Sequence, residues 1–277
     1  MKLRGHLESA RRRLADYPAA QLEAEILLAH SLDSPRSFLY ANPEFEIPRK
    51  HHLLFKKLVQ RRVQGEPIAY ITARREFWSL TLKITPDVLI PRHETELLVE
   101  AALQRIPPGE AWRIADLGTG SGAIALAIAS ERPQCEIQAS DVSAAAVALA
   151  GENAASLGLK MVQFHNGSWC QPLAGHFDMI VSNPPYVAED DPHLQQGDCR
   201  FEPGHALTPG SDPLAAIRTI TQQSRAKLNE GGWLLLEHAT DQGAQVREIM
   251  ADNAFKEIET LRDLPGHERV TLGRRRQ

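Results

Sequence analysis

Cysteine is scarce in this chain. Only Cys135, Cys170 and Cys199 occur in 277 residues, far apart and with no CxxC spacing. A structural zinc site or a disulfide framework is therefore not expected, and the usage fits a reducing cytoplasm. Long apolar runs are missing too. None approaches the roughly 18 residues that a bilayer-spanning helix requires. The opening "MKLRGHLESARRRLADY" is too charged for a signal peptide. An excess of positive charge is also absent, and a net charge of -4 argues against a general nucleic-acid binder. No internal repeat, metal-ligand cluster or Ser/His/Asp spacing stands out.

The charge that is present is uneven. Residues 1–73 hold 12 Lys+Arg against 8 Asp+Glu, and the remainder holds 19 against 27. The mildly basic front suits either a solvated helical surface or an acidic or RNA-rich partner. At 277 residues the length suggests two domains of ordinary size, from about 150 residues each.

Residues 1–73 read as a small all-helical domain. Leu3, Leu7 and Leu14 suit one helical face. Leu22, Ile26 and Ala29 recur at helical spacing in a second segment. Leu54, Leu58 and Arg61/Arg62 do so in a third that stops at Gly65. Pro35, Pro43 and Pro48 punctuate the gaps. Residues 74–92 read as a hairpin and connector, with Phe77, Trp78, Leu80, Leu82 and Ile84 supplying strand character. Residues 93–277 open with a helix after Pro91, and from Trp112 strands and helices alternate. "DPLAAIRTITQQSRAKLNEGG" reads as one helix and "WLLLEHA" as the strand after it. This rhythm predicts an α/β fold with a doubly wound, mostly parallel sheet. Two last strands with no helix between them predict an antiparallel hairpin at one edge.

Two loops carry the chemistry. "DLGTGSG" begins at Asp116, where the first strand of the sheet gives way to a helix. Gly118, Gly120 and Gly122 let the backbone turn tightly and approach a ligand without a Cβ in the way. By itself this pattern does not separate a nicotinamide dinucleotide from S-adenosyl-L-methionine. Asp141 ends the second strand, where a carboxylate accepts ribose hydroxyls in either cofactor class or leads into the helix near Ser143. Ser168 and Trp169 follow the third strand, where an aromatic ring either stacks on an adenine or fills the core.

"NPPY", Asn183 to Tyr186, follows the fourth strand and so projects from the same sheet edge. Pro184 restricts Asn183 to extended backbone, and Pro184 and Pro185 fix their own φ. The stiff turn offers two acceptors, the Asn183 side-chain oxygen and the Pro184 carbonyl. A group held by two acceptors is a donor with two N–H bonds, an NH₂. Tyr186 adds a flat wall for a planar amide or base. Two acceptors pulling on the N–H bonds of an amide stabilise the positive charge that builds up when its nitrogen is methylated. No general base is needed, since the methylated nitrogen is acidic enough to shed its proton, and no catalytic histidine is expected.

With "DLGTGSG" and "NPPY" together, the chain resembles the class I methyltransferases that modify planar NH₂ groups. "GEPIAYITARREFWSLTLKI", "LIPRHETELLVE", "QGDCRFEP" and "ERVTLGR" are similar to stretches of the HemK/PrmC family, and the resemblance covers nearly the whole chain. It implies methyl transfer from S-adenosyl-L-methionine to the side-chain amide (N5) of the GGQ glutamine of class I peptide chain release factors, in support of translation termination. It implies no direct nucleic-acid partner. Carried over by motif, Gly118, Thr119, Gly120, Ser121 and Gly122 would hold the methionine part of the cofactor, Asp141 its ribose and Trp169 its adenine. Asn183 would border the cofactor, and Asn183, Pro184, Pro185 and Tyr186 would grip the glutamine amide. The family's "IPRPxTE" loop reads "IPRHETE" here, so His93 is expected to loosen that turn. Arg92, Glu94 and Glu96 read as salt-bridge partners, and Arg92 and Glu96 equally as substrate contacts. Pro209 and Pro213 depart from the family's glycine-rich loop.

Four other readings compete. A nicotinamide-dependent oxidoreductase accounts for the glycine turn and Asp141 but leaves "NPPY" unexplained. A nucleic-acid amino-group methyltransferase accounts for both motifs, yet it calls for a larger basic recognition region. A glutamine methyltransferase of a ribosomal protein is the nearest relative. A non-enzymatic binding module is the remaining class, and failure to bind S-adenosyl-L-methionine would favour it.

Overall fold

In a computed structural model, which describes residues 2–276, the chain divides into two units, Met1–Arg74 and Arg75–Gln277. The first contains α1 (Leu3–Arg13), α2 (Ala20–Leu32), α3 (Arg36–Ala41), α4 (Arg49–Val63) and α5 (Ile68–Thr72). Pro35, Pro48 and Pro67 each stand immediately before a helix, where a missing N–H costs nothing. The helical faces differ from expectation. In α2 the buried residues are Ala24, Glu25, Leu27, Leu28, Ala29 and Ser31, while Leu22 is 42% exposed. The reason is that α2 packs against α1, α3, α4 and α5, so a central helix shows no single apolar stripe. In α4 the buried set is Phe55, Leu58, Val59 and Arg62, and Leu54 is exposed. Buried Arg62 donates to both carboxylate oxygens of Glu23 at 2.8 Å and lies 3.8 Å above the Tyr17 ring. A guanidinium joins a core only when paired in this way.

A hairpin of β1 (Arg74–Phe77) and β2 (Leu80–Lys83) comes next. Trp78 and Ser79 join them at φ 50° and 59°, the left-handed pair that a tight hairpin turn requires. A 3-10 turn, His93–Thr95, leads into α6 (Glu96–Arg105). The sheet unit follows: β3 (Arg113–Leu117), α7 (Ala123–Glu131), β4 (Glu136–Asp141), α8 (Ala144–Ser156), β5 (Gln163–Asn166) and β6 (Phe177–Ser182). After a short helix, α9 (Gly204–Leu207), come α10 (Ala215–Lys227), β7 (Leu228–Glu237), α11 (Gly243–Asp252), β8 (Phe255–Arg262) and β9 (Glu268–Arg275). Strand order is β5-β4-β3-β6-β7-β9-β8. The first five strands are parallel and the last two pair antiparallel. This is the expected doubly wound sheet with an antiparallel end. No helix among the described residues is long and apolar enough to cross a membrane.

One boundary moves. The helix expected through Gly232 ends at Lys227, and β7 starts at Leu228. Leu228 is fully buried and pairs with Phe177 across an irregular register, and Asn229 donates to Asp178 at 2.7 Å. Pairing with β6 thus draws "LNEGG" into the sheet, and Gly231 at φ 75° absorbs the irregularity.

Asn153 ties the hairpin to the sheet unit. Its Oδ1 accepts from the Lys83 N–H at 2.7 Å, and its Nδ2 donates to the Lys83 and Ser121 carbonyls at 3.1 and 2.9 Å. The side chain is 1% exposed. Asn153→Ala leaves three backbone groups without these partners. It is expected to lower the unfolding free energy by about 2–4 kcal/mol. A lower urea midpoint at unchanged slope is the measurement that checks it.

Candidate active site

Strand β3 lies between β4 and β6. The chain winds outward from β3 through β4 to β5, then returns to the other side of β3 as β6. Open α/β sheets bind ligands at such a reversal, beyond the carboxyl ends of the strands. The last residues of the two strands, Leu117 and Ser182, are register partners, and the Ser182 hydroxyl donates to the Leu117 carbonyl at 2.6 Å. Gly118 and Asn183 are the next residues along, so the two loops leave the sheet side by side.

The glycine turn is held from below. The N–H groups of Gly118 and Thr119 donate to the Ser140 carbonyl at 2.8 and 3.0 Å, and Gly120 N–H donates to Asp141 Oδ2 at 2.9 Å. Gly118, Gly120 and Gly122 adopt φ 74°, 55° and 85°, where a side chain would be strained. A Cβ at Gly118 would also come within 3.3 Å of the Trp169 ring, and one at Gly122 within 3.0 Å of Leu126. Fully buried Asp116 accepts from the Thr119 hydroxyl at 2.7 Å and from Ala125 N–H at 3.2 Å through Oδ2, while Oδ1 has no hydrogen-bond partner. Burial, against those two donors and with the Asp141 charge, pushes its carboxyl up to about 7.

A cavity of about 190 Å³ opens over this turn. Of the expected residues, Gly118, Gly120, Asp141, Ser168, Trp169, Asn183 and Pro185 line it together. Thr119, Ser121, Gly122, Pro184 and Tyr186 do not. Thr119 and Ser121 are buried under the turn, and Gly122 packs α7 toward α8. Asp141 serves the local structure as well. Its Oδ1 accepts from Ser143 N–H at 2.9 Å, and Ser143 caps α8. Trp169 sits at φ 47°, with its carbonyl accepting from the Ser140 hydroxyl at 2.7 Å and its ring against the sheet core. The ring thus lines the cavity on one side and packs the core on the other.

Four residues that sequence reasoning did not assign complete the surroundings. Asn183 Nδ2 donates to the Thr95 hydroxyl at 3.1 Å. Tyr186 hydroxyl donates to Glu237 Oε1 at 3.3 Å, and Gln242 Nε2 donates to the Tyr186 carbonyl at 3.0 Å. Burial pushes the Glu237 carboxyl up to about 7, against the opposing pull of Thr95, Tyr186 and Arg269. Burial, with the Glu237 charge, also raises the Tyr186 phenol. Glu202 accepts from Ile90 N–H at 3.0 Å and forms an ion pair with Arg92, while Glu96 Oε1 accepts from Trp78 N–H at 3.2 Å. Thus Arg92 and Glu96 both have partners within the protein. Thr95 and Glu202 lie in the loops "IPRHETE" and "QGDCRFEP". Glu237 is signalled only as a carboxylate ending an apolar strand, a weak sign without the sheet order.

The sheet, the glycine turn and the Asn-Pro-Pro-Tyr loop beside it define a class I methyltransferase. Among solved structures of this fold, a Thermus thermophilus 16S rRNA N2 G1207 methyltransferase, in complex with AdoMet and guanosine, aligns with TM-score 0.56. It is 20% identical and covers 73% of this chain and 50% of its own. Residues 93–198 match the methyltransferase small domain, and residues 6–72 match the PrmC N-terminal domain. The release factor glutamine methyltransferase of Xylella fastidiosa (strain Temecula1) is 49% identical, over 92% of this chain and 93% of its own. That of Escherichia coli K12 is 51% identical, over 91% of each. This chain belongs to the family of release factor glutamine methyltransferases.

Proposed function

We propose that the protein methylates the side-chain amide nitrogen (N5) of the glutamine in the GGQ motif of class I peptide chain release factors, using S-adenosyl-L-methionine. The observation that carries this reading is the shared cavity. The glycine turn and Asn183 open onto one space, in a chain about half identical to release factor glutamine methyltransferases over some nine-tenths of its length.

The residues present fit the cofactor. Gly118 and Gly120 leave the wall free of side chains, Trp169 supplies a flat ring, and Asp141 keeps a free lone pair on each carboxylate oxygen beside its present N–H donors. In this reading Asp141 takes the ribose hydroxyls, Trp169 borders the adenine, and the backbone of residues 118–122 borders the methionine part. When bound, S-adenosyl-L-methionine supplies an electrophilic methyl group on a sulfonium.

The chain's own contribution is to hold and polarise an amide. An amide nitrogen is a poor nucleophile because its lone pair is delocalised into the carbonyl. Asn183 Oδ1 and the Pro184 carbonyl accept its two N–H bonds and stabilise the positive charge that grows there. Pro184 and Pro185 stiffen the loop, so little freedom is lost on binding. Tyr186, its hydroxyl on Glu237, stands as the wall beside the amide. The helical unit takes the role of recognising the protein substrate, a role supported by its basic balance of 12 Lys+Arg against 8 Asp+Glu over residues 1–73.

Radiolabelled methyl transfer to a purified release factor tests the reading, beside a factor whose GGQ glutamine is alanine, bare DNA and ribosomal protein. Label on the unaltered factor alone is expected. Label on DNA or ribosomal protein would overturn the substrate and keep the site. Asn183→Ala is expected to lose about 3 kcal/mol of transition-state stabilisation, about 10²-fold in rate, with little change in cofactor affinity. Near-normal turnover would refute its role. A chain starting at Arg75 is expected to bind the cofactor normally and to methylate the full-length factor more slowly. Equal rates would remove the recognition role of the helical unit.

A further inference from the structure

Prolines stiffen a loop, and they also strip it of donors. Pro184 and Pro185 have no N–H, so the backbone there is hydrogen-bonded only through carbonyls. A proline ring fixes φ and leaves ψ free to turn. The direction of the Pro184 carbonyl therefore depends on where the chain is fastened on either side. Before the loop, Ser182 pairs with Leu117 and its hydroxyl donates to the Leu117 carbonyl at 2.6 Å. After it, Val187 N–H donates to the Leu207 carbonyl of α9 at 3.0 Å. Between these points the Tyr186 carbonyl accepts from Gln242 Nε2 at 3.0 Å.

We infer that Gln242 is a positioning residue for methyl transfer: it fixes the Tyr186 carbonyl, and with it the direction in which the Asn-Pro-Pro-Tyr loop presents its acceptors. This rests on the reading of that loop given above. Gln242 is 7% exposed and stands immediately before α11. Its amide has a single workable setting. Ala239 N–H, 3.0 Å from Oε1, only donates, and the Tyr186 carbonyl, 3.0 Å from Nε2, only accepts. A half-turn of the amide would spoil both bonds. The platform beneath is braced. Gln242 N–H donates to the Ala239 carbonyl, and the Gln242 carbonyl accepts from Val246 N–H in α11, both at 3.0 Å. His238 N–H donates to the Arg269 carbonyl on β9 at 2.9 Å. The His238 ring bonds the Ala239 carbonyl and the Thr271 hydroxyl, both at 2.8 Å. The end of β7 also meets the other end of Tyr186, whose hydroxyl donates to Glu237 Oε1 at 3.3 Å. The bond from Gln242 to Tyr186 spans 56 residues of sequence, so α11 does not need it to form. Asn183 and Pro185 line the cavity and Gln242 does not, so Gln242 acts through the loop.

Gln242→Glu tests this with almost no change of shape. At low pH the introduced carboxyl is neutral. Its O–H donates to the Tyr186 carbonyl, and its other oxygen accepts from Ala239 N–H. As pH rises it ionises, loses the donor and sets an oxygen against an oxygen. The charged groups that face this turn are Glu237, Arg269 and Glu268 on β9, Arg247 on α11 and Glu94 on the 3-10 turn. Arg269 is paired with Asp263 at 3.0 Å, and Arg247 with Glu268 at 3.1 Å. Arg92, which faces Tyr186, is paired with Glu202. Burial favours the neutral form of His238. Each of these arginines thus has its own carboxylate, and burial holds the introduced carboxyl neutral to a higher pH than an exposed acid.

Full-length variants are compared for kcat and KM on release factor, for Kd of S-adenosyl-L-methionine and for melting temperature. Each kcat is taken as a ratio to the unaltered protein from pH 6 to 9, which removes any pH dependence the two share. Gln242→Leu, which has no polar end, is expected to lower kcat about 10–100-fold at every pH, with KM and Kd within about threefold. Gln242→Glu is expected to keep most of the rate at the acidic end and to fall toward Gln242→Leu at the alkaline end. Should Gln242→Leu not fold, the pH response of Gln242→Glu carries the test. An unimpaired Gln242→Leu beside a depressed Asn183→Ala overturns the inference and leaves the role of Asn183 standing. A Gln242→Glu ratio that stays flat across the pH range also overturns it. So does a Gln242→Leu whose cofactor affinity falls as far as its rate, since that marks a general loss of structure. Normal turnover in Asn183→Ala removes the reading on which the inference rests.

Discussion

The parallel pairing of β3 with β6 is the constraint on which the site depends. It sets Leu117 against Ser182, sealed by the hydrogen bond between the Ser182 hydroxyl and the Leu117 carbonyl at 2.6 Å. Because the strands run the same way, both loops emerge at one edge. Because the sheet reverses direction here, no crossover helix fills the space above them. Gly118 and Asn183, 65 residues apart in sequence, therefore wall one cavity. A register slip of a single residue would turn Asn183 to the opposite face of the sheet.

Around that edge the protein keeps the carboxyls of Asp116, Glu202 and Glu237 out of water. Burying a carboxylate is costly, and each responds by holding its proton more tightly than an exposed acid does. Each also organises a loop. Asp116 gathers the Thr119 hydroxyl and the first turn of α7 under the glycine turn. Glu237 accepts from the Tyr186 hydroxyl at 3.3 Å. Such expense is usual where groups must be held ready before a reaction, since preorganised polar groups need not rearrange as charge develops.

The segments before and after the main sheet motifs lend support rather than chemistry. The β1–β2 hairpin reaches α8 and the glycine turn through Asn153. Glu202, in the loop after Tyr186, fixes Ile90 and Arg92 ahead of the 3-10 turn that carries Thr95. The segments on either side of the two loops are thus fastened to each other and to the glycine turn.

Local chemistry made much of this legible in the chain alone. Three glycines at a strand end, two prolines after an asparagine and a carboxylate ending a strand are dictated by backbone sterics and by what a ligand demands of short loops. The βαβ alternation followed from the same local rules, and so did the closing antiparallel strands. What sequence reading missed depends on neighbours distant in the chain. The buried face of α2 could not be read from spacing because four helices surround it. The end of α10 shifted because β6 drew Leu228 into the sheet. Thr95, Glu237 and Gln242 gained their parts only when folding brought them beside Asn183 and Tyr186, since a hydrogen bond between distant residues leaves no periodic trace. The sequence by itself determined which short loops follow the strands and which acceptors and rings they carry. Only the tertiary structure decided which way those groups face, because orientation is set by burial and by partners that the fold alone assembles.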